Sequence, residues 1–185
     1  MAKMTEKEKM LAGRLYDPED EELVRDRKRA KRLCWRFNRL DPDKKEEKQR
    51  LLNELFRDEV ECHIEPGFYC DYGYNIEAGD NFYANHNCVI LDVNSVVIGE
   101  NVMFGPQVQV YTATHPIRAE ERQKSRELGL PVEIGAEAWI GGNVVINPGI
   151  SVGKKAVIGA GSVLTEDIPA GVVAAGNPCR VIREI

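Results

Sequence analysis

The stretch IGAEAWIGGNVVINPGISVGKKAVIGAGSVLTEDIP, residues 134–169, places an aliphatic residue at every sixth position: Ile134, Ile140, Ile146, Val152, Ile158 and Leu164. Four residues after each comes a second small or aliphatic one: Ala138, Val144, Ile150, Ala156, Ser162 and Ile168. A period of six is neither the 3.6 of a helix nor the two of an ordinary strand. It fits a parallel β-helix, in which each hexad is one short strand plus one turn and the guide side chain points into the stacked interior. Three hexads then close one triangular coil. A β-sandwich would instead alternate with period two, with turns at irregular intervals.

The register continues backwards through Val110, Phe104 and Ile98, and before those through Cys88, Phe82, Ile76, Cys70 and Ile64. Each such side chain, once buried, contributes roughly 1.5 to 3 kcal/mol. Two interruptions are visible. Four extra residues between Cys88 and Ile98 predict a bulge or corner around Asp92 to Val97. Between Val110 and Ile134 the segment Thr114 to Pro131 is polar, charged and without guide residues, which predicts a loop leaving the coil.

Upstream, Thr5 and Glu8 form a capping box that predicts a short helix over Thr5 to Ala12. Asp17 before Pro18 reads as the start of a second helix, with Leu23, Ala30, Leu33, Cys34, Phe37 and Leu40 as its apolar stripe. Asp41 and Pro42 repeat that start for a third helix, with Leu51, Leu52, Leu55 and Phe56 inward. The division expected is a helical cap segment over 1–60 and a β-helix domain over 61–185, with loop 114–131 and C-terminal tail 170–185. Asn177 and Pro178 mark a turn. Arg180 and Arg183, three apart, are read onto a final helical turn.

Composition narrows the function. The 185 residues carry a formal net charge of −5, which gives no general attraction to phosphate backbones. The basic run Arg25 to Arg39, flanked by acids, reads as a solvated helix face, so nucleic acid is not an expected partner. Cysteines 34, 62, 70, 88 and 179 form no CxxC pair and read as core residues. No apolar run of membrane-spanning length and no signal-peptide core in MAKMTEKEKM leads to the expectation of a cytoplasmic protein without a membrane partner.

His115 lies in TATHP, where the loop leaves the coil, and Pro116 holds it extended. A histidine there suits a general base, because its unperturbed pKa lies near neutrality; the plainer reading is a solvent histidine before a turn. Asp71, Asn85 and Asp92, with Tyr69, Tyr72, Tyr74 and Tyr83, bring hydrogen-bonding groups and aromatic faces that suit a sugar, though Asx residues also fill turns. Trp139, between two guide residues, points outward to a ligand or an oligomer contact.

The segments KEKMLAGRLYDP, CDYGYNI, NFYANHNCVILDV, YTATHPI, AWIGGNVVINPGISVG, VIGAGSV and GNPCRVIREI together resemble the sugar O-acetyltransferases of the hexapeptide-repeat family, nearest its maltose-acetylating members. The resemblance implies a left-handed parallel β-helix, against the usual right-handed crossover. It further implies a homotrimer with active sites between subunits and acetyl-CoA as donor, with no metal. His115 is then the base that deprotonates a sugar hydroxyl for direct attack on the thioester. Asp17, Arg27, Asp71, Tyr83, Asn85 and Asp92 line the acceptor site; Trp139, Gly142, Ala160, Thr165, Arg180 and Arg183 line the coenzyme groove. Gly141 or Gly142 can supply an N–H to the tetrahedral oxyanion.

Two departures stand out. Val93 replaces the second acid of galactoside-type relatives, favouring maltose or glucose as acceptor, and Glu166 replaces a common lysine. A galactoside, an oligosaccharide, an amino acid or an antibiotic remain alternative acceptors. A γ-carbonic anhydrase type lyase would need further histidines in the loop, and Ile117 to Pro131 has none. A non-catalytic, ice-binding type scaffold would need a repeated threonine or serine array, which is absent.

Overall fold

The computed structural model describes residues 4–57 and 59–185; residues 1–3 and 58 of the expected cap segment lie outside the described residues. The hexads wind into a parallel β-solenoid with three faces. The first face stacks Cys62–Ile64, Phe82–Ala84, Met103–Phe104, Trp139–Ile140, Val157–Ile158 and Val172–Ala175. Tyr69–Cys70, Val89–Leu91, Gln109–Tyr111, Val145–Ile146 and Val163–Leu164 form the second face. Ile76–Ala78, Val96–Ile98, Val132–Ile134 and Ser151–Val152 form the third, extended by a bridge from Val152 to Ile168. All pairings within these stacks are parallel.

Both expected rows of residues 134–168 point into the solenoid: the guides Ile134 to Leu164 are at most 3% exposed, and the second row at most 8%. Two corners repeat from coil to coil. Between the third and first faces, Asn81, Asn101, Glu137, Lys155 and Gly171 all take positive φ; between the first and second, Gly67, Asn87, Gln107, Asn143 and Gly161 do. A sharp turn needs that left-handed residue, which asparagine and glycine reach at least cost. Along these columns each turn N–H after the first coil donates to the previous coil, as Asn143 N–H does to Pro106 O at 2.8 Å, while the Gly67 N–H of the first coil donates to Asn38 Oδ1 of the cap. Coils then stack so closely that a Cβ on Gly135 would lie 2.5 Å from Lys154 N.

The early register differs from the reading of the sequence. Cα partners align Ala78 with Ile98 and Ile134, and Cys70 with Ile90 and Val110. The guide row therefore runs Ile64, Cys70, Ala78, Ala84, Ile90, Ile98, and the four extra residues fall as two pairs, at 71–75 and at 92–95. Ile76, Phe82 and Cys88 belong to the second inward row. Both rows are apolar and, apart from the partly buried Ala78, buried, which is why the sequence alone let one pass for the other.

Helix α1 (Glu6–Leu11) has the Thr5 capping box. Helices α2 (Glu21–Phe37) and α3 (Lys45–Phe56) begin three residues or more after Asp17 and Asp41. Those two aspartates instead close Asx turns, accepting the N–H of Glu19 at 3.0 Å and of Asp43 at 2.9 Å. Asp20 caps α2. Leu33, Cys34 and Phe37 of α2 and Leu51, Leu52, Leu55 and Phe56 of α3 join the same buried cluster as Ile64 and Phe68, covering the open first coil. The C-terminus corrects a second expectation: Arg180–Glu184 is a strand antiparallel to Val172–Ala175, not a helical turn. Among the described residues no helix is long and apolar enough to cross a membrane.

Candidate active site

The third corner, between the second and third faces, breaks the pattern. Eight residues take the chain from Cys70 to Ala78, eight from Ile90 to Ile98 and twenty-four from Val110 to Ile134, against six from Ile146 to Val152. Polar residues collect where these insertions stack.

Asp92 organises the first insertion. Its side chain is fully enclosed, and its oxygens accept the N–H groups of Asp71 (2.9 Å), Tyr72 (2.9 Å), Gly73 (2.7 Å) and Asn75 (3.4 Å). Burial raises its pKa to about 7, against the pull of those N–H donors. Placed so, Asp92 shapes the turn, and the expectation that it meets an acceptor hydroxyl gives way. What the turn presents is Asp71, half-buried, whose carboxyl is raised by burial, lowered by Arg27 and raised again by Glu127. Tyr72 accepts a hydrogen bond from Arg27 Nη1 at 2.8 Å, and Arg27 Nη2 donates to Pro18 O at 2.6 Å, next to Asp17.

The twenty-four-residue excursion is a hairpin. Ala113–Thr114 pairs antiparallel with Leu128–Gly129, and a short helix, Ala119–Arg122, lies at its far end. Asn94 ties its base down, donating from Nδ2 to Gly129 O at 2.9 Å. His115 follows the outgoing strand with its side chain half exposed. Its Nδ1 lies 3.3 Å from Arg126 O and its Nε2 lies 4.0 Å from Glu127 Oε1. A proton on Nδ1, donated to that carbonyl, leaves Nε2 as the basic nitrogen. Glu127 was missed in the sequence, where it reads as one more charge in a polar loop. Tyr16 was missed as well: it is fully buried, donates its hydroxyl to Glu127 Oε2 at 2.7 Å and forms an isolated antiparallel bridge with it. Val93, 3% exposed, packs in a cluster with Tyr16 and Tyr72. Apolar and aromatic neighbours thus surround Val93.

Other candidate residues lie elsewhere. His63, Tyr83, Met103, Trp139 and Val157 are register neighbours pointing out of the first face. His63 stacks on Tyr83 at 5.5 Å, and Met103 and Trp139 are half exposed, as the sequence predicted for Trp139. Asn85, Gly142 and Ala160 follow first-face strands at the regular first–second corner. Gly141 N–H already donates to Ile158 O at 2.8 Å, which leaves Gly142 as the candidate oxyanion donor. Thr165 is exposed just past the second-face strand Val163–Leu164. Arg180 and Arg183 are exposed on the terminal strand, and Arg180 Nη2 lies 3.2 Å from Glu166 Oε1. Glu166 therefore occupies a neighbouring cation.

In a triangular solenoid the first face lies opposite the second–third corner. The candidate residues of one chain thus fall in two groups: Asp17, Arg27, Asp71 and His115 by that corner, and Tyr83, Asn85, Trp139 and Gly142 on the first face and its regular corner. A concavity of about 1020 Å³ lined by Asn53, His63, Asp80 and Tyr83, and a second on the third face, both lie away from His115.

Residues 9–58 match the family described as maltose acetyltransferase hexapeptide capping motif, and residues 131–166 match the hexapeptide repeat of succinyl-transferase. The chain is 45% identical over 179 residues to galactoside O-acetyltransferase of Escherichia coli (strain K12), covering 96% of this chain and 92% of that protein. Its fold matches the crystal structure of a maltose O-acetyltransferase from Clostridium difficile 630 with a TM-score of 0.97 at 51% identity, covering 98% of each chain. A galactoside acetyltransferase in complex with coenzyme A matches with a TM-score of 0.91 at 42% identity, covering 99% of this chain and 92% of that one.

Proposed function

This chain belongs to the hexapeptide-repeat acetyltransferases of the galactoside and maltose O-acetyltransferase type, and from that premise we propose that it moves an acetyl group from acetyl-CoA to a hydroxyl of maltose, glucose or a similar sugar. His115 is the general base. Its Nε2 takes the proton of the acceptor hydroxyl as that oxygen bonds to the thioester carbonyl carbon. The tetrahedral oxyanion then collapses, the carbon–sulfur bond breaks, and the imidazolium returns its proton to the departing thiolate. No acyl-enzyme forms, so no nucleophilic side chain is needed. The observation that carries this reading is the pose of His115, with Nδ1 facing a carbonyl, Nε2 free for an acceptor and a carboxylate 4.0 Å away to balance the imidazolium.

Donor and acceptor cannot both reach that histidine within one chain. The groups assigned to acetyl-CoA, Trp139 and Gly142 through Ala160 and Thr165 to Arg180 and Arg183, belong mainly to the first face and its regular corner, with Asn85 and Tyr83 beside them. We therefore assign the working form to a homotrimer, in which the hairpin corner of one chain faces the first face of the next. A cyclic assembly has heterologous interfaces, so two different surfaces meet at each. The maltose or glucose preference rests on Val93 and on the 51% identity to a maltose O-acetyltransferase.

The test is an acceptor panel run with acetyl-CoA on the wild type and His115→Ala. The variant should lose about 10² to 10⁴ in kcat with acetyl-CoA affinity unchanged. Wild-type turnover in that variant would remove His115 from the mechanism. A galactoside turned over faster than maltose and glucose would overturn the acceptor reading.

A further inference from the structure

We infer that Tyr16 is a positioning residue of the acetyl-transfer site, acting through Glu127 on the space in front of His115. The inference rests on the reading of His115 as the base. It concerns a residue that neither receives a proton nor touches a substrate.

Three bonds join Tyr16 to Glu127. The Tyr16 N–H donates to Glu127 O at 3.1 Å, the Glu127 N–H donates to Tyr16 O at 3.2 Å, and the phenol donates to Glu127 Oε2 at 2.7 Å. The two backbone bonds fix where the loop returns to the corner. The phenol fixes something different: the rotation of a carboxylate. With Oε2 engaged, Oε1 is the oxygen turned to His115 Nε2. Side chains on flexible loops lose such an orientation readily, and a hydrogen bond to a charged acceptor is the stronger kind that can hold it.

The phenol is built to remain a donor. Tyr16 is fully enclosed, and burial together with the adjoining carboxylate pushes its pKa well above the usual phenol range. Tyr16 shares one buried cluster with Met10, Leu23, Tyr72 and Val93. Val93 stands in the packing around the tyrosine that orients Glu127, where burying a carboxylate would carry a desolvation cost. Tyr16 comes from the connection between α1 and α2, so the N-terminal segment reaches the catalytic corner by this contact.

A purely structural Tyr16 and a positioning Tyr16 differ in a double-mutant cycle. Tyr16→Phe keeps the ring and both backbone bonds. It should lower kcat/KM for the acceptor about tenfold, the usual worth of a hydrogen bond to a charged group, and leave the KM for acetyl-CoA unchanged. Glu127→Gln should lower the same parameter, and adding Tyr16→Phe to it should cost less than twofold further, because the orientation is already lost. Leu23→Ala loosens the same packing without touching the phenol. Its loss of thermal stability should come without an acceptor defect of the Tyr16→Phe size. Wild-type kinetics in Tyr16→Phe, multiplying effects of the two substitutions, or a Leu23→Ala variant that matches Tyr16→Phe in the acceptor parameter would each overturn the inference. Failure of the underlying reading looks different: His115→Ala would then remain active whatever Tyr16→Phe does.

Discussion

Residues 134–169 and residues 70–131 are made of the same coil, yet one half is regular and the other carries the insertions and the proposed base, His115. In the regular half each face follows the next after six residues, each guide is enclosed, and the two repeating corners use left-handed residues. In the irregular half, three successive coils overrun at one corner, by two, two and eighteen residues relative to the six between Ile146 and Val152. Asp71, Asp92 and His115 all stand at that corner. Regular stacking leaves little room for a side chain to be aimed anywhere but inward or straight out. Extra residues at a corner supply backbone that stacking does not fix, and polar groups then have to fix it: Asp92 the first insertion, Asn94 the base of the hairpin, Tyr16 its return.

That contrast can be broken by substitution. Ile146→Ala, in the regular interior, should cost about 2 to 5 kcal/mol of stability, as truncation of an enclosed aliphatic side chain does, while KM for the acceptor stays near wild type. Urea unfolding and steady-state kinetics on the same preparation measure both. An acceptor KM that rose as much as stability fell would mean the regular coils are not separate from acceptor binding.

Asp92→Asn is the counterpart. It sets an NH₂ group among four backbone donors, so about 1 to 3 kcal/mol of stability should be lost. In this case the acceptor KM should rise as well, because the turn presents Asp71. Normal kinetics in a destabilised Asp92→Asn would detach the turn from acceptor binding.

Smaller effects are expected at the terminal strand. Replacing Arg180 and Arg183 with alanine should raise the KM for acetyl-CoA several-fold more than that for dephospho-CoA donors. Of the two, Arg183 should matter more, since Arg180 is shared with Glu166; exposed ion pairs of that kind are worth about 0 to 1 kcal/mol. Equal effects on both donors would separate these arginines from the 3′-phosphate.

The regular half was legible because one physical demand, a small or aliphatic group turned inward, writes itself as a spacing. The cap stripe on α2, the capping box at Thr5 and the exposed Trp139 were legible for the same reason. The insertion at 71–75 was not located, and the one expected around Asp92 to Val97 was counted as four residues where the chain has two, because Ile76, Phe82 and Cys88 satisfy the inward demand from the second row as well as a guide does. Asp92 and Glu127 show the deeper limit. An aspartate that gathers four backbone amides and one that meets solvent are the same letter, and Glu127 becomes notable only once the hairpin folds it back twelve positions onto His115. The terminal strand RVIRE had β-branched residues at its centre, but the three-residue spacing of its arginines drew the reading to a helix.

The central claim is that the two partial sites of one chain are completed by another chain. His115→Ala and Asn85→Ala, each nearly inactive alone, should be unfolded together in equal amounts, reassembled, and assayed after mixed composition is verified by native mass spectrometry. With random mixing and His115 and Asn85 drawn from different chains, about a quarter of the sites carry both residues intact, so activity should recover to about a quarter of wild type. Verified mixed assemblies with no more activity than the separate mutants would contradict a site shared between chains.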